Sequence, residues 1–275
     1  MKKVRRTVIF GIILLSSELF ALSNVSMAQT SGLFDTKSGD SLGGQLEGQL
    51  GGSVEIIVQP KSEVHQPFLV GFPDGKFHPQ APLTRAEAAA IVARVKGLKF
   101  EGDPEKPYSD VGKKHWAYRY ITSVTKAGYM QGYKDGTFHP NEPISRAELV
   151  TLVLKVRGIE PLPNLTGFSD TSDHWAKDVI ATAKSLGIVD GVGNNSFLPD
   201  DDTERQVASK LFCMAFFRGP LKDGETPVKQ HFPDVKPEDW SFHWVEEAAV
   251  VAHESIRTVA EERLVKYRPD LTENY

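Results

Sequence analysis

Two arginines sit where elementary electrostatics disfavours them. Thr84-Arg85-Ala86-Glu87 and Ser145-Arg146-Ala147-Glu148 each read as a helix start, with Thr or Ser as N-cap and Glu three residues on completing a capping box. Arg85 and Arg146 are then the first helical residues, where the helix dipole makes a cation unfavourable by roughly 0.3–1 kcal/mol. An arginine placed there twice offers a bidentate fork for a carboxylate, beside first-turn amides that also favour an anion. The competing use is a solvated arginine, or one paired with the capping Glu.

Two tryptophans and two aspartates recur with them. Tyr108-Ser109-Asp110 leads to His115-Trp116-Ala117, and Phe168-Ser169-Asp170 leads to His174-Trp175-Ala176. Trp116 and Trp175 suit either stacking on sugar rings or anchoring the helices they head. Asp110 and Asp170 suit hydrogen bonds to hydroxyls, or capping of the helix or its approach turn. His78 and His139 are equivalent residues, but Leu198 replaces the third, so no threefold His site forms and no metal is expected. The single cysteine, Cys213, lies among apolar residues and reads as a buried, inert thiol; alone, it excludes an intramolecular disulfide. A glycine-rich phosphate loop, a Gly-x-Ser-x-Gly elbow and a His-Glu-x-x-His helix are all missing from the sequence. A non-enzymatic protein with no cofactor is expected.

These residues belong to a repeat of about sixty residues. Gly71-Phe-Pro-Asp-Gly-Lys-Phe-His-Pro79 returns as Gly132-Tyr-Lys-Asp-Gly-Thr-Phe-His-Pro140 and, more weakly, as Gly191-Val-Gly-Asn-Asn-Ser-Phe-Leu-Pro199. A Trp-led helix precedes each full turn, with Ile121 and Val124, or Val179, Ile180 and Ala183, at helical spacing. Gly128 and Gly187 stop these helices, and Phe77, Phe138 and Phe197 anchor the turns. A second helix follows, with Ala88, Ile91 and Val92, or Leu149, Leu152 and Val153, on one face. The third copy keeps only the arginine, in Glu204-Arg205-Gln206-Val207, with Thr203 and Gln206 set for a capping box shifted by one residue. Its groove is expected to be mainly structural.

The first copy has only its second half, and a last copy, Phe232-Pro233-Asp234 leading to Trp240, only its first. These orphan halves complete one unit, which predicts a pseudo-threefold ring closed between the N- and C-terminal ends. The resulting organisation is a signal peptide at 1–28, a Gly/Ser/Gln-rich linker at 29–66 and a half-repeat at 67–103. A full repeat at 104–163, a degenerate one at 164–222 and a half-repeat at 228–254 follow, then a helical extension at 255–275. Lys2–Arg6, the apolar Val8–Leu15 and Ser26-Met27-Ala28 carry the signal-peptide reading. Val54–Val58 suits one short strand without a visible partner. In the tail, Ile256, Val259 and Arg263 continue a helical face, Glu262 and Lys266 form an i,i+4 pair, and Pro269 is a stop. The chain has a formal charge of −4, and without residues 1–28 it holds 28 basic and 35 acidic residues. That sign argues against nucleic-acid binding, and once the leader is removed no membrane segment is expected.

With Ser-Asp…His-Trp-Ala, Gly-Tyr-x-Asp-Gly-Thr-Phe-x-Pro and Ser/Thr-Arg-Ala-Glu in place, the chain resembles S-layer homology proteins carrying three such modules, over about residues 68–254. The resemblance implies an all-α, three-pronged bundle of helix-turn-helix repeats with ligand grooves between neighbouring modules. It also implies noncovalent binding of secondary cell-wall polysaccharide, often carrying pyruvate ketal-linked to an amino sugar, and tethering of exported proteins at the cell surface. On that basis Arg85 and Arg146 are expected to take the ligand's carboxylate, with Thr84, Ser145, Trp116, Trp175, Asp110 and Asp170 supporting the grooves. An alternative is an adaptor that recruits an exported protein partner; a carbohydrate-active enzyme is less favoured.

Overall fold

Helix caps and left-handed turns set the frame. The computed structural model describes residues 61–100 and 108–273. The signal peptide, the Val54–Val58 strand and nearly all of the linker lie outside the described residues. In chain order the elements are strand β1 (Ser62–His65), helices α1 (Arg85–Val95), α2 (Tyr118–Lys126), α3 (Arg146–Arg157), α4 (Lys177–Ser185) and α5 (Arg205–Ala215). Strand β2 (Leu221–Lys222), helix α6 (Phe242–Ala249), strands β3 (His253–Arg257) and β4 (Glu262–Tyr267), and a 3-10 turn at Pro269–Leu271 complete the fold. Both capping boxes form: Thr84 Oγ1 accepts from Glu87 N–H and Ser145 Oγ from Glu148 N–H, while each Glu accepts from the cap's own N–H. Gly128 and Gly187 take positive φ at the ends of α2 and α4, where a side chain would be strained.

The centre is a three-way exchange of backbone hydrogen bonds. Leu83 N–H donates to Thr203 O (2.8 Å), Ile144 N–H to Leu83 O (2.9 Å), and Thr203 N–H to Ile144 O (3.0 Å). All three side chains are buried, and Phe77, Phe138 and Phe197 lie in the same core. Each fully buried apolar side chain of this size contributes about 1.5–3 kcal/mol. Helix α1 packs on α2, α3 on α4 and α5 on α6. The C-terminal segment reaches the N-terminal one directly. Phe68 and Leu69 N–H donate to Ala248 O (2.9 and 3.0 Å), and Asp234 accepts from the N–H groups of Phe77 and His78 (2.9 and 2.8 Å).

The all-α expectation is wrong. Helix accounts for 31% and strand for 12% of the described residues, and their strands form one mixed sheet in the order β1-β3-β4-β2. Strand β3 is antiparallel to β1 and to β4, and β2 runs parallel to β4. Where a helical extension was expected over 255–275, the described residues to 273 instead complete a hairpin that starts at His253 and add a terminal turn. Along it burial alternates every second residue: His253 and Ser255 point inward from β3, Glu262 and Leu264 from β4. Because three of those four inward residues are polar, hydropathy hid the strand period and an accidental helical face showed instead. Glu262 and Lys266 are not a helical pair; Lys266 Nζ meets Glu254 across the hairpin at 3.3 Å. The linker, expected to run to residue 66, ends earlier, because Ser62–His65 pairs with residues 253–256.

Candidate functional site: arginine grooves between modules

The three equivalent arginines all reach into the next module round the ring. Arg85 Nε donates to Phe138 O (2.9 Å), Arg146 Nε to Phe197 O (2.8 Å) and Arg205 Nε to Phe77 O (2.9 Å). Each guanidinium also lies over the ring of that same Phe, 4.5–4.9 Å from its centroid. The carbonyls are held in place by the aspartates. Asp110 accepts from Phe138 and His139 N–H (2.9 and 2.7 Å), and Asp170 from Phe197 and Leu198 N–H (2.9 and 2.8 Å). His78, His139 and Leu198 share φ of 55°, a left-handed turn that these two-pronged carboxylates tie down. Asp110 and Asp170 thus position the carbonyl that orients each arginine.

Burial pushes the Asp170 carboxyl up, but the Ser196 hydroxyl and the Leu198 and Phe197 N–H groups outweigh it and hold the carboxyl at about 2. A depressed folded value stabilises the protein above the ordinary carboxylate range, and that contribution is lost as pH falls toward about 2. A carboxyl-carbon NMR titration of Asp170 is expected to give a midpoint near 2; one near 4, the free-side-chain value, would contradict the latch.

The first-turn amides are not available to a ligand. Arg85 and Ala86 N–H donate to Glu142 O and Pro140 O, Arg146 and Ala147 N–H to Asp201 O and Pro199 O, and Arg205 and Gln206 N–H to Ala81 O and Pro79 O, all at 2.9 Å. Thr84 and Ser145 are likewise occupied as caps. Any anion must therefore be held by side chains.

At the guanidinium tips the three sites diverge. Arg85 is buried and engaged at both tips: Nη1 meets Glu148 Oε1 (2.9 Å) and Nη2 donates to Gln131 O (3.0 Å). Arg205, 1% exposed, repeats this with Glu87 and Val70 O. For Arg146 the residue in the place of Glu148 and Glu87 is Val207. Among the described residues, Nε to Phe197 O is the only hydrogen bond of its guanidinium, and no carboxylate pairs with it. Burial lowers the Arg146 pKa from its ordinary value, against the upward pull of Asp201, Asp170 and Glu204.

The space around them differs in the same sense. Arg146 opens on a groove of about 370 Å³ lined also by Val150, Ile188, Val207, Lys210 and Trp240. Thr203 lines it too, and its buried Oγ1 has no hydrogen-bond partner. Arg85 opens on a groove of about 130 Å³ with Glu148 and Trp175. Trp175 therefore belongs with Arg85, and Arg146 has Trp240. Trp116 (55%), Trp175 (64%) and Trp240 (55%) are all exposed, so the core-anchor reading fails for them. Trp116 lies against His115, with ring centroids 5.9 Å apart.

The capping box expected at Thr203 and Gln206 does not form. Glu204 is the N-cap without a side-chain bond, because Thr203 occupies the central position equivalent to Leu83 and Ile144. His78 pairs with Asp74 and His139 with Glu142, each at 2.7 Å. Cys213 is buried, and burial holds its thiol well above the usual range. Sequence reasoning missed Trp240, Lys210 and Thr203 as groove residues. The missing acid at Val207 was visible, but it bears on the neighbouring module's arginine rather than on its own.

The chain belongs to the S-layer homology domain family, which it matches over residues 68–89, 107–150 and 167–206. It is 36% identical over 219 residues to "Cell surface glycoprotein 1" of Acetivibrio thermocellus, covering 75% of this chain and 9% of that protein. It is 32% identical over 196 residues to the "Cellulosome-anchoring protein" of the same organism, covering 68% of this chain and 42% of that protein. With the "S-layer protein EA1" of Bacillus anthracis it shares 27% identity over 171 residues, 61% of this chain and 19% of the other. The chain thus spans less than half the length of each. Its place is the cell surface or cell wall. No helix among the described residues is long and apolar enough to cross a membrane.

Proposed function

We propose that this chain is a non-enzymatic anchor that holds noncovalently to an anionic secondary cell-wall polysaccharide, and that the Arg146 groove is its principal seat. The observation that carries this is the contrast among equivalents: Arg85 and Arg205 each hold an internal glutamate, while Arg146 faces Val207 and an open groove. An acid-bearing sugar, such as one with a ketal-linked pyruvate, supplies the carboxylate that the protein supplies elsewhere. Nη1 and Nη2 of Arg146 take that carboxylate as a fork. Trp240 offers an apolar face to the sugar ring and Thr203 Oγ1 a donor, while Lys210 Nζ, paired with the groove's Asp190 at 3.0 Å, has further N–H groups to give. At Arg85 the same ligand has to displace Glu148 from a smaller groove, so that site is the weaker one.

Co-sedimentation with purified walls tests the reading. The protein is expected to pellet with intact walls and to stay in solution once the acidic polymer has been extracted. Equal pelleting with extracted walls would overturn it. Release of reducing sugar from the polymer would instead favour the enzyme reading.

A further inference from the structure

A second cluster lies away from the grooves, where the first strand meets the C-terminal hairpin. His65 ends β1 and His253 begins β3; they are direct partners across the antiparallel ladder, so both side chains lie on one face of the sheet. Glu247 of α6 sits between them. His65 Nδ1 is 2.7 Å from Glu247 Oε1 and His253 Nε2 is 2.9 Å from Oε2. His65 is 7% exposed, and Glu247 and His253 are fully buried. Two imidazoles and a carboxylate, with their ligand atoms all within 4.8 Å of one another, form a donor set drawn from three elements.

We propose that His65, Glu247 and His253 form a binding site for one divalent transition-metal ion of the zinc type, which clips the strand before the first module to the hairpin after the last. The donor chemistry fits: imidazole nitrogen and carboxylate oxygen bind zinc at about 2.0–2.2 Å. Tetrahedral ligands at that radius stand about 3.3 Å apart, so admitting the ion asks the His–Glu contacts to open by roughly half an ångström.

A second observation supports the assignment. His253 Nδ1 lies 3.2 Å from the Val251 carbonyl, which only accepts, so that nitrogen carries its proton and Nε2 is turned toward Glu247. A backbone carbonyl on the far nitrogen is the usual orienting partner of a metal-bound histidine. The ion takes the place of the proton between Nε2 and Glu247, and that proton leaves to solvent. Charge in the surroundings is mixed. Arg218 Nη1 lies 3.6 Å from Glu247 Oε1, and buried Glu262 on β4 interacts electrostatically with both His65 and Glu247. The rival account is a metal-free ion-pair triad, which has to offset the desolvation of three buried polar groups by itself.

The full chain, stripped with a chelator and titrated calorimetrically with zinc chloride, is expected to bind one ion with micromolar or tighter affinity and to melt at a higher temperature. Cobalt(II) is expected to give the intense visible absorption of a four-coordinate site. His65→Gln, at the strand end, is expected to weaken binding by about tenfold or more, and His253→Gln to abolish it. Zinc K-edge scattering from the wild-type protein, which requires no variant to fold, is expected to show two imidazoles on the ion. Absence of zinc uptake, uptake unchanged by His65→Gln, or scattering with fewer than two imidazoles would each overturn the site.

Discussion

Arg146→Ala is expected to weaken binding to intact walls by roughly 10- to 100-fold while leaving helicity and melting temperature close to wild type. The magnitude follows from the loss of charge-assisted hydrogen bonds to a carboxylate, about 1.5–3 kcal/mol, at about 1.4 kcal/mol per decade of affinity. The small effect on stability follows from the structure. Within the described fold the Arg146 guanidinium gives one hydrogen bond, to Phe197 O, and a cation–π contact with that ring. Wall co-sedimentation over a range of protein concentrations, with circular dichroism on the same samples, measures both quantities. Undiminished binding would remove Arg146 from the site.

Arg205→Ala is expected to act in the opposite way, lowering unfolding free energy by about 3 kcal/mol or more. Its guanidinium is enclosed and engaged through all three nitrogens, holding Glu87, Phe77 O and Val70 O, and it joins α5 to the residues around the first turn. Truncation leaves a partly buried carboxylate and two carbonyls without their donor. Urea unfolding reads the loss directly; a change below about 1 kcal/mol would show that the buried pair contributes no more than a surface one. On the proposed function, equivalent arginines in successive modules serve ligand binding in one place and the joining of modules in another.

Much of the fold was legible in the sequence because its local signals are short-range. Capping boxes, left-handed glycines and the Phe of each turn fall where the repeat places them, since each depends on residues within one turn of its own position. What joins modules was not legible. Nothing near Arg146 says that its first-turn amide goes to Asp201 O, or that its groove is walled by Trp240. The degenerate motif at Glu204–Val207 looked like the loss of a site in the third copy. Because each arginine reaches forward by one module, the lost glutamate vacates the groove of the second copy instead. The tail failed for a different reason. Strand alternation with His253, Ser255 and Glu262 turned inward is invisible to a hydropathy pattern, and β1 pairs with a partner about 190 residues away.

The central claim is that Arg146 binds ligand because Val207 leaves its guanidinium without an internal acid. Val207→Glu restores the acid found opposite Arg85 and Arg205, and its wall affinity is the most direct measurement. The account expects Val207→Glu to lose wall binding about as severely as Arg146→Ala, with a melting temperature equal to or above wild type as the new pair forms. Wall binding retained at the wild-type level by a folded Val207→Glu chain would contradict it.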